Sequence, residues 1–296
     1  MRLKTSLNLL LGIALSTSVF AQEKNLIAPG ASLQKISSQF IFTEGPAADK
    51  NGTIYFTDQP NDKIWKYDTD GKLTLWMDKT GRSNGLYFDK KGNLISCADE
   101  KNELWSISPD KKVTVLMSDV AGKKLNGPND LWIDAKGGIY FTDPYYQRNY
   151  WQRQKPEIEE QKVYYLPKGK KQPTVVDDQL VKPNGIIGSA DGNYLFVADI
   201  QANKTYKYQI NKDGSLSNRQ LFVNQGSDGM TLDAEGNLYI TGKGVFIYNA
   251  KGEKIQHIPV PAGWVGNVCF GGKDRKMLFI TASEFVYTLQ MINKGN

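Results

Sequence analysis

The chain is predicted to fold as an all-β, six-bladed β-propeller with four antiparallel strands per blade. Three observations carry that expectation: a six-fold internal repeat, pairs of further short strands between the repeats, and no helical periodicity over any long window. The repeats are EGPAADKNGTIYFTD (44–58), NGLYFDKKGNLISCAD (84–99), NDLWIDAKGGIYFTD (129–143), NGIIGSADGNYLFVAD (184–199), DGMTLDAEGNLYITG (228–242) and NVCFGGKDRKMLFITA (267–282).

Each repeat opens on an acidic or amide residue, runs through a short apolar strand, turns at a D/K-x-G step or a near variant, and ends in a second apolar strand. Their starting points are 40, 45, 55, 44 and 39 residues apart. The intervening sequence supplies two more strands, as in KIWKYD (63–68) with KLTLWM (72–77), or ELWSIS (103–108) with VTVLM (113–117). A single blade would leave its apolar faces in water, so all six must stack into a closed ring. Residues Ser32 to Ser37 are expected to complete the last blade and close that ring. No linker-like stretch interrupts the repeats, so residues 22–296 read as one domain.

Hydrophobic residues make up 40% of the 296-residue chain and charged residues 23%, with 28 glycines, which excludes gross disorder, collagen and a coiled coil. No apolar run after residue 21 reaches the roughly 20 residues that span a bilayer. The first 21 residues differ: Arg2 and Lys4 precede an apolar stretch from Leu7 to Phe20, and Val19-Phe20-Ala21 resembles a cleavage site. They are expected to be a secretory signal peptide cut after about Ala21, leaving a periplasmic or secreted protein with no membrane attachment. Loss of Arg2 and Lys4 lowers the net charge from +6 to +4. The short basic run Lys168 to Lys171 reads as a solvated loop, so no nucleic-acid partner is expected. Cys97 and Cys269 lie in apolar strand-like segments and are expected as buried free thiols. A monomer or weak oligomer is expected.

Features shared by the blades most simply serve the fold. The Asp at the end of the second strand (Asp58, Asp99, Asp143 and Asp199) is therefore expected to hold a turn or cap. The first position of each repeat is different. Glu44, Asn84, Asn129, Asn184, Asp228 and Asn267 should ring one mouth of the central channel, and all six carry a side-chain oxygen. Asn-Gly and Asp-Gly are also ordinary turn pairs, but Glu44 has no such preference and Asn129 precedes Asp130. Two carboxylates across a narrow channel repel unless protonated or bridged by a cation. Oxygen donors without Cys or His suit Ca²⁺ or Mg²⁺ better than zinc.

The longest gap follows Asp143 and holds PYYQRNYWQRQKPEIEEQK (144–162), rich in Tyr, Trp, Arg and Gln. A loop leaving the second strand lies on the ring side, where it would lid a polar ligand. Arg82 and Trp264 precede their ring positions by two and three residues and should sit near the same mouth. His257, the single histidine, lies in QHIPV away from every ring position, so a Ser-His-Asp triad is unsupported. A metal with carboxylates can still polarise a carbonyl and activate water, chemistry that suits ester or lactone hydrolysis.

The order and spacing of TEGPAAD (43–49), SNGLYFD (83–89), GPNDLWID with YFTDPYY (127–146), KPNGI (182–186) and SDGMTLDAEGNLYIT (227–241) resemble the family of senescence marker protein (regucalcin), gluconolactonases and luciferin-regenerating enzyme. The resemblance covers essentially the whole chain after the leader, and the Pro-Tyr-Tyr-x-Arg segment is most similar to exported bacterial gluconolactonases. It implies a divalent cation held by Glu44, Asn184 and Asp228, Ca²⁺ foremost, with Mg²⁺, Zn²⁺ and Mn²⁺ as alternatives. It also implies that Asn129 touches substrate or metal-bound water, that Asp228 doubles as the catalytic base, and that Asp130 supports the ring from behind.

Two departures bear on substrate contacts. Gly127 stands where regucalcin-like members carry Arg, and SCADE (96–100) lacks the His that many bacterial gluconolactonases have there. Arg82, Tyr145, Tyr146, Arg148 and Trp151 are the candidate replacements. The expected activity is hydrolysis of a small sugar lactone such as glucono-1,5-lactone to the aldonic acid. The alternative is a non-catalytic propeller that binds a sugar or a protein on the same face, which would have no need of Glu44 and Asp228 across the channel. An arylesterase-like propeller is disfavoured because no His lies in the ring.

Overall fold

The computed structural model describes residues 25–296, and the expected leader lies outside the described residues. Six four-stranded antiparallel sheets follow one another around a ring. The innermost strands of blades 1 to 6 are Thr43–Ala48, Ser83–Phe88, Leu131–Ile133, Pro183–Gly188, Met230–Leu232 and Asn267–Gly271. Each pairs with the second strand of its repeat, for example Ile54–Asp58 in blade 1 and Ile139–Asp143 in blade 3. Among the described residues the only helical element is a 3-10 turn at Gln59–Asn61. None is a helix long and apolar enough to cross a membrane.

Ring closure follows the sequence expectation. Gln34–Ser37 forms the outermost strand of blade 6 and pairs with Phe285–Gln290, Gln34 opposite Thr288 and Lys35 opposite Tyr287. The seam is sealed by apolar packing, with Phe56 of blade 1 and Phe279 of blade 6 both fully buried and their ring centroids 5.3 Å apart. Burial of each such ring contributes about 1.5–3 kcal/mol. Neighbouring blades are joined in the same way, as where Leu104 of blade 2 packs in one cluster with Phe141 of blade 3. Both cysteines are buried and free, as predicted.

The D-x-x-G turns have a local cause. In blade 1, Asp49 Oδ1 accepts from Asn51 N at 2.8 Å and Thr53 N at 3.1 Å, while its carbonyl accepts from Gly52 N at 3.0 Å. The hairpin is thus set by one carboxylate and one residue of positive φ.

The glycine after the ring residue serves a different purpose from the turn pairing that the sequence suggests. Gly45 has φ +45°, and a Cβ there would lie 2.1 Å from the main-chain oxygen of Asn84 in the next blade. The same close passage joins blade 2 to blade 3, where Gly85 N donates to Asn129 O at 2.7 Å. Register shifts fall on these steps, between Glu44 and Ala47, Ser83 and Leu86, and Pro183 and Ile186. Such bulges turn the adjoining side chain out of the strand's alternation.

Candidate active site at the channel mouth

The six ring residues all lie within two residues of the start of an innermost strand, in step around the propeller. Glu44, Asn84, Asn129, Asn184 and Asn267 are buried, and Asp228 is partly exposed. Five polar side chains buried in one place need partners or a ligand. Several partners are identifiable. Glu44 accepts from Gly45 N at 2.8 Å, Asp228 Oδ2 accepts from Trp264 Nε1 at 2.6 Å, and Asn184 Nδ2 donates to the Tyr146 hydroxyl at 3.0 Å. Below them Asp130 accepts from Leu131 N at 2.9 Å and, more weakly, from Asn267 Nδ2 at 3.4 Å, which places it behind the ring.

Among the described residues, Asn184 Oδ1 is a buried oxygen with no hydrogen-bond partner. Burial pushes the Glu44 carboxyl well above the usual carboxylate range, and the like charges of Asp228 and Asp130 push it further. Burial also raises Asp228, against the pull of the Trp264 N–H and the Arg148 charge. Asp130 is pushed up to about 7, again chiefly by burial. An orphaned amide oxygen beside two mutually repelling carboxylates is a donor set that fits a hard divalent cation. Among the described residues no three His, Cys, Asp or Glu side chains are grouped so as to hold a metal ion by themselves, and the set here is two carboxylates and an amide.

The insertion after Asp143 contains no strand until Lys162 and lies across the mouth, as its attachment point requires. Tyr146 reaches the ring directly through Asn184. Arg148 packs over the Tyr146 ring at 5.6 Å, and its charge acts on Asp228. The other three candidate replacements, Trp151, Tyr145 and Arg82, have different neighbours. Trp151 is 7% exposed and donates its indole N–H to the Asp99 carbonyl at 3.0 Å, so it anchors the insertion. Tyr145 stays within the insertion, with Arg153 at 5.3 Å over its ring. Arg82 is held at the rim, donating to Pro60 O at 2.5 Å and lying 4.5 Å over the Tyr150 ring. His257 is exposed and stacks on Phe246 at 4.2 Å, away from the mouth.

The second-strand aspartates need one correction. Asp58, Asp143 and Asp199 do staple backbone: each accepts the two amides that precede its innermost strand, such as Val181 N at 2.7 Å and Lys182 N at 3.0 Å for Asp199. Asp99 does not. Its Oδ2 accepts from Arg148 Nε at 3.0 Å and from the Tyr150 hydroxyl. The corresponding amide in blade 2, Arg82 N, donates instead to Asp62 Oδ1 at 2.7 Å. Sequence reasoning missed Asp99 because its position repeats a structural one. The only hint was an Arg- and Tyr-rich insertion with no acidic partner assigned.

Gly127, where regucalcin-like chains carry Arg, has φ +151°. A Cβ there would lie 2.8 Å from Asp99 Oδ1 and 3.0 Å from the Trp151 ring. Trp151 and Asp99 occupy the space that a longer side chain would need.

Residues 42–284 match the model of the SMP-30/Gluconolactonase/LRE-like region. The chain belongs to this family. A gluconolactonase of Zymomonas mobilis is 28% identical over 286 residues, covering 86% of this chain and 80% of the relative. The solved structure of a gluconolactonase from Xanthomonas campestris superposes with a TM-score of 0.83 at 27% identity, covering 90% of this chain and 91% of that one. A protein of Agrobacterium tumefaciens described as a calcium-binding regucalcin shares the fold, with a TM-score of 0.75 at 19% identity over 90% of this chain and 96% of that one. Family membership and these relatives agree with the sequence reading of a lactonase-type, ester-hydrolysing enzyme.

Proposed function

We propose that the protein is an exported, divalent-cation-dependent lactonase acting on a sugar lactone of the glucono-1,5-lactone kind. The observation that carries this is the buried, partnerless Asn184 Oδ1 set beside the carboxylates of Glu44 and Asp228 at the channel mouth. A divalent cation, Ca²⁺ foremost, held by Glu44, Asn184 and Asp228 would supply Lewis-acid polarisation of an ester carbonyl when bound.

The chain's own groups account for the remainder. Asp228, aimed by Trp264 Nε1, takes a proton from the attacking water as the water oxygen bonds to the lactone carbonyl carbon. The ester C–O bond of the ring then breaks, and the departing oxygen takes up the proton that Asp228 accepted. Asn129, at the mouth, orients water or a sugar hydroxyl. Tyr146 fixes the Asn184 amide, and Arg148 offers donors to the hydroxyls of the sugar. The relatives named as gluconolactonases support the substrate class.

The test is hydrolysis of glucono-1,5-lactone by protein stripped with chelator and refilled with Ca²⁺, Mg²⁺, Zn²⁺ or Mn²⁺ in turn. Activity should vanish and return with one ion, foremost Ca²⁺, and Glu44→Ala and Asp228→Ala should abolish it while leaving the fold intact. Absence of turnover on this and a small panel of other lactones with every ion would favour the sugar-binding propeller instead. Export is tested separately: the N-terminus of the secreted form should begin at Gln22.

A further inference from the structure

We propose that Asp99 is a positioning residue for this reaction, fastening the 144–161 insertion across the channel mouth and holding the Arg148 guanidinium over the bound lactone. The proposal rests on the lactonase reading above and names a residue which that reading does not use.

The comparison among blades is the first support. Asp58, Asp143 and Asp199 each staple two backbone amides, whereas in blade 2 the Arg82 amide donates to Asp62. The Asp99 carboxylate is thereby released from the fold and is only 2% exposed. A buried carboxylate requires partners, and those of Asp99 come from the insertion: Arg148 Nε and the Tyr150 hydroxyl on Oδ2, with Trp151 Nε1 on its carbonyl. The absence of a side chain at Gly127 is the second support, because a Cβ there would crowd both Asp99 and Trp151.

Arg148 supplies the link to the chemistry. Its Nε is the only side-chain donor engaged by protein among the described residues. The two terminal nitrogens are left as a planar pair of donors on a guanidinium whose charge reaches Asp228 and whose plane lies by Tyr146. Anchoring through Nε fixes the direction of those nitrogens. Without Asp99 the arginine keeps its charge and loses its aim.

The experiment measures kcat and KM on glucono-1,5-lactone with Ca²⁺ for wild type, Asp99→Asn, Arg148→Gln and the double variant. In parallel, the rate of tryptic cleavage after Arg153 is followed on the full chain. Asp99→Asn should raise KM by about tenfold with a smaller change in kcat, since the lost interaction orients bound substrate. It should add little in the Arg148→Gln background, and cleavage in the insertion should accelerate. Tyr150→Phe, which removes one donor and keeps the ion pair, should shift KM and cleavage the same way by less, and it serves if Asp99→Asn does not fold. A KM within about twofold of wild type, or single-variant penalties that multiply in the double variant, overturns the proposal. Cleavage needs no turnover. Faster nicking of Asp99→Asn in a protein without lactonase activity would sink the lactonase reading and retain the fastening. Normal turnover with unchanged KM and cleavage would sink the role of Asp99 alone.

Discussion

Trp264 Nε1 donates to Asp228 Oδ2 at 2.6 Å, so the residue expected to serve as base is aimed by an indole from the loop before blade 6. The bond favours the ionised carboxylate and opposes the rise that burial causes. Trp264→Phe removes the donor and keeps most of the ring. Its kcat should fall by roughly 10–100-fold, the range expected for a lost hydrogen bond to a charged group. The acid limb of the kcat/KM profile should move to higher pH, because Asp228 then binds its proton more tightly. A profile unmoved from wild type would remove Asp228 from the role of base.

Tyr146 acts on the candidate cation site through the Asn184 amide. Its hydroxyl accepts from Nδ2 and so fixes the amide whose Oδ1 has no partner among the described residues. Tyr146→Phe should weaken Ca²⁺ binding by about 10-fold, in the range typical of partners that orient a ligand. Calorimetric titration of stripped protein measures this directly. Asn184→Leu, which removes the oxygen itself, should abolish binding in the same titration.

The buried carboxylates give stability a defined pH dependence. The folded state holds the Asp130 carboxyl at about 7 against an ordinary value of 3.8, and Glu44 and Asp228 also lie high. Between those limits the folded protein binds more protons than the unfolded chain, so stability falls as pH rises from about 4 to about 7. Metal-free protein should therefore melt at a lower temperature at pH 8 than at pH 5.5. Ca²⁺ should raise the melting temperature at pH 8 and have little effect at pH 5.5, because the ligands must be ionised to bind it. Equal melting temperatures at the two pH values, with and without Ca²⁺, would contradict this account of the mouth.

Asp199→Asn provides the contrast to Asp99. Its two carboxylate oxygens accept from Val181 N and Lys182 N, and an amide would set an NH₂ group against one of those donors. The cost should be about 1–3 kcal/mol of stability, read from urea unfolding.

Much of this was legible because the chain repeats itself. The six blades, the closing strand before Glu44 and the ring positions all follow from alternating apolar segments at a spacing near that of one blade. What one repeat could not reveal was how it meets the next. Glu44 has no turn preference to explain the glycine that follows it, and the reason lies in the next blade, where the main-chain oxygen of Asn84 passes beside Gly45 and excludes any Cβ. Asp99 was equally hidden, since four aspartates share its position and only the contact of Asp62 with the preceding loop frees it from theirs. The insertion was expected to cover the mouth, but which of its aromatic side chains would anchor it and which would face the ring depended on Arg148 and Trp151 meeting Asp99. Contacts between distant loops leave no periodic trace in a sequence.

Blade 6 is assembled from both ends of the domain, with Gln34 opposite Thr288. During synthesis the first-made strand of the domain waits for the last, and nothing made in between can replace its partner. The ring is therefore a clasp that fastens only when the chain is nearly complete. Five blades can form and stack beforehand, but each intermediate leaves Gln34–Ser37 without its partner strand and apolar surface around Phe56 unfilled until Phe279 arrives. Long-range pairing of this kind makes folding slow and leaves late intermediates prone to edge-to-edge association.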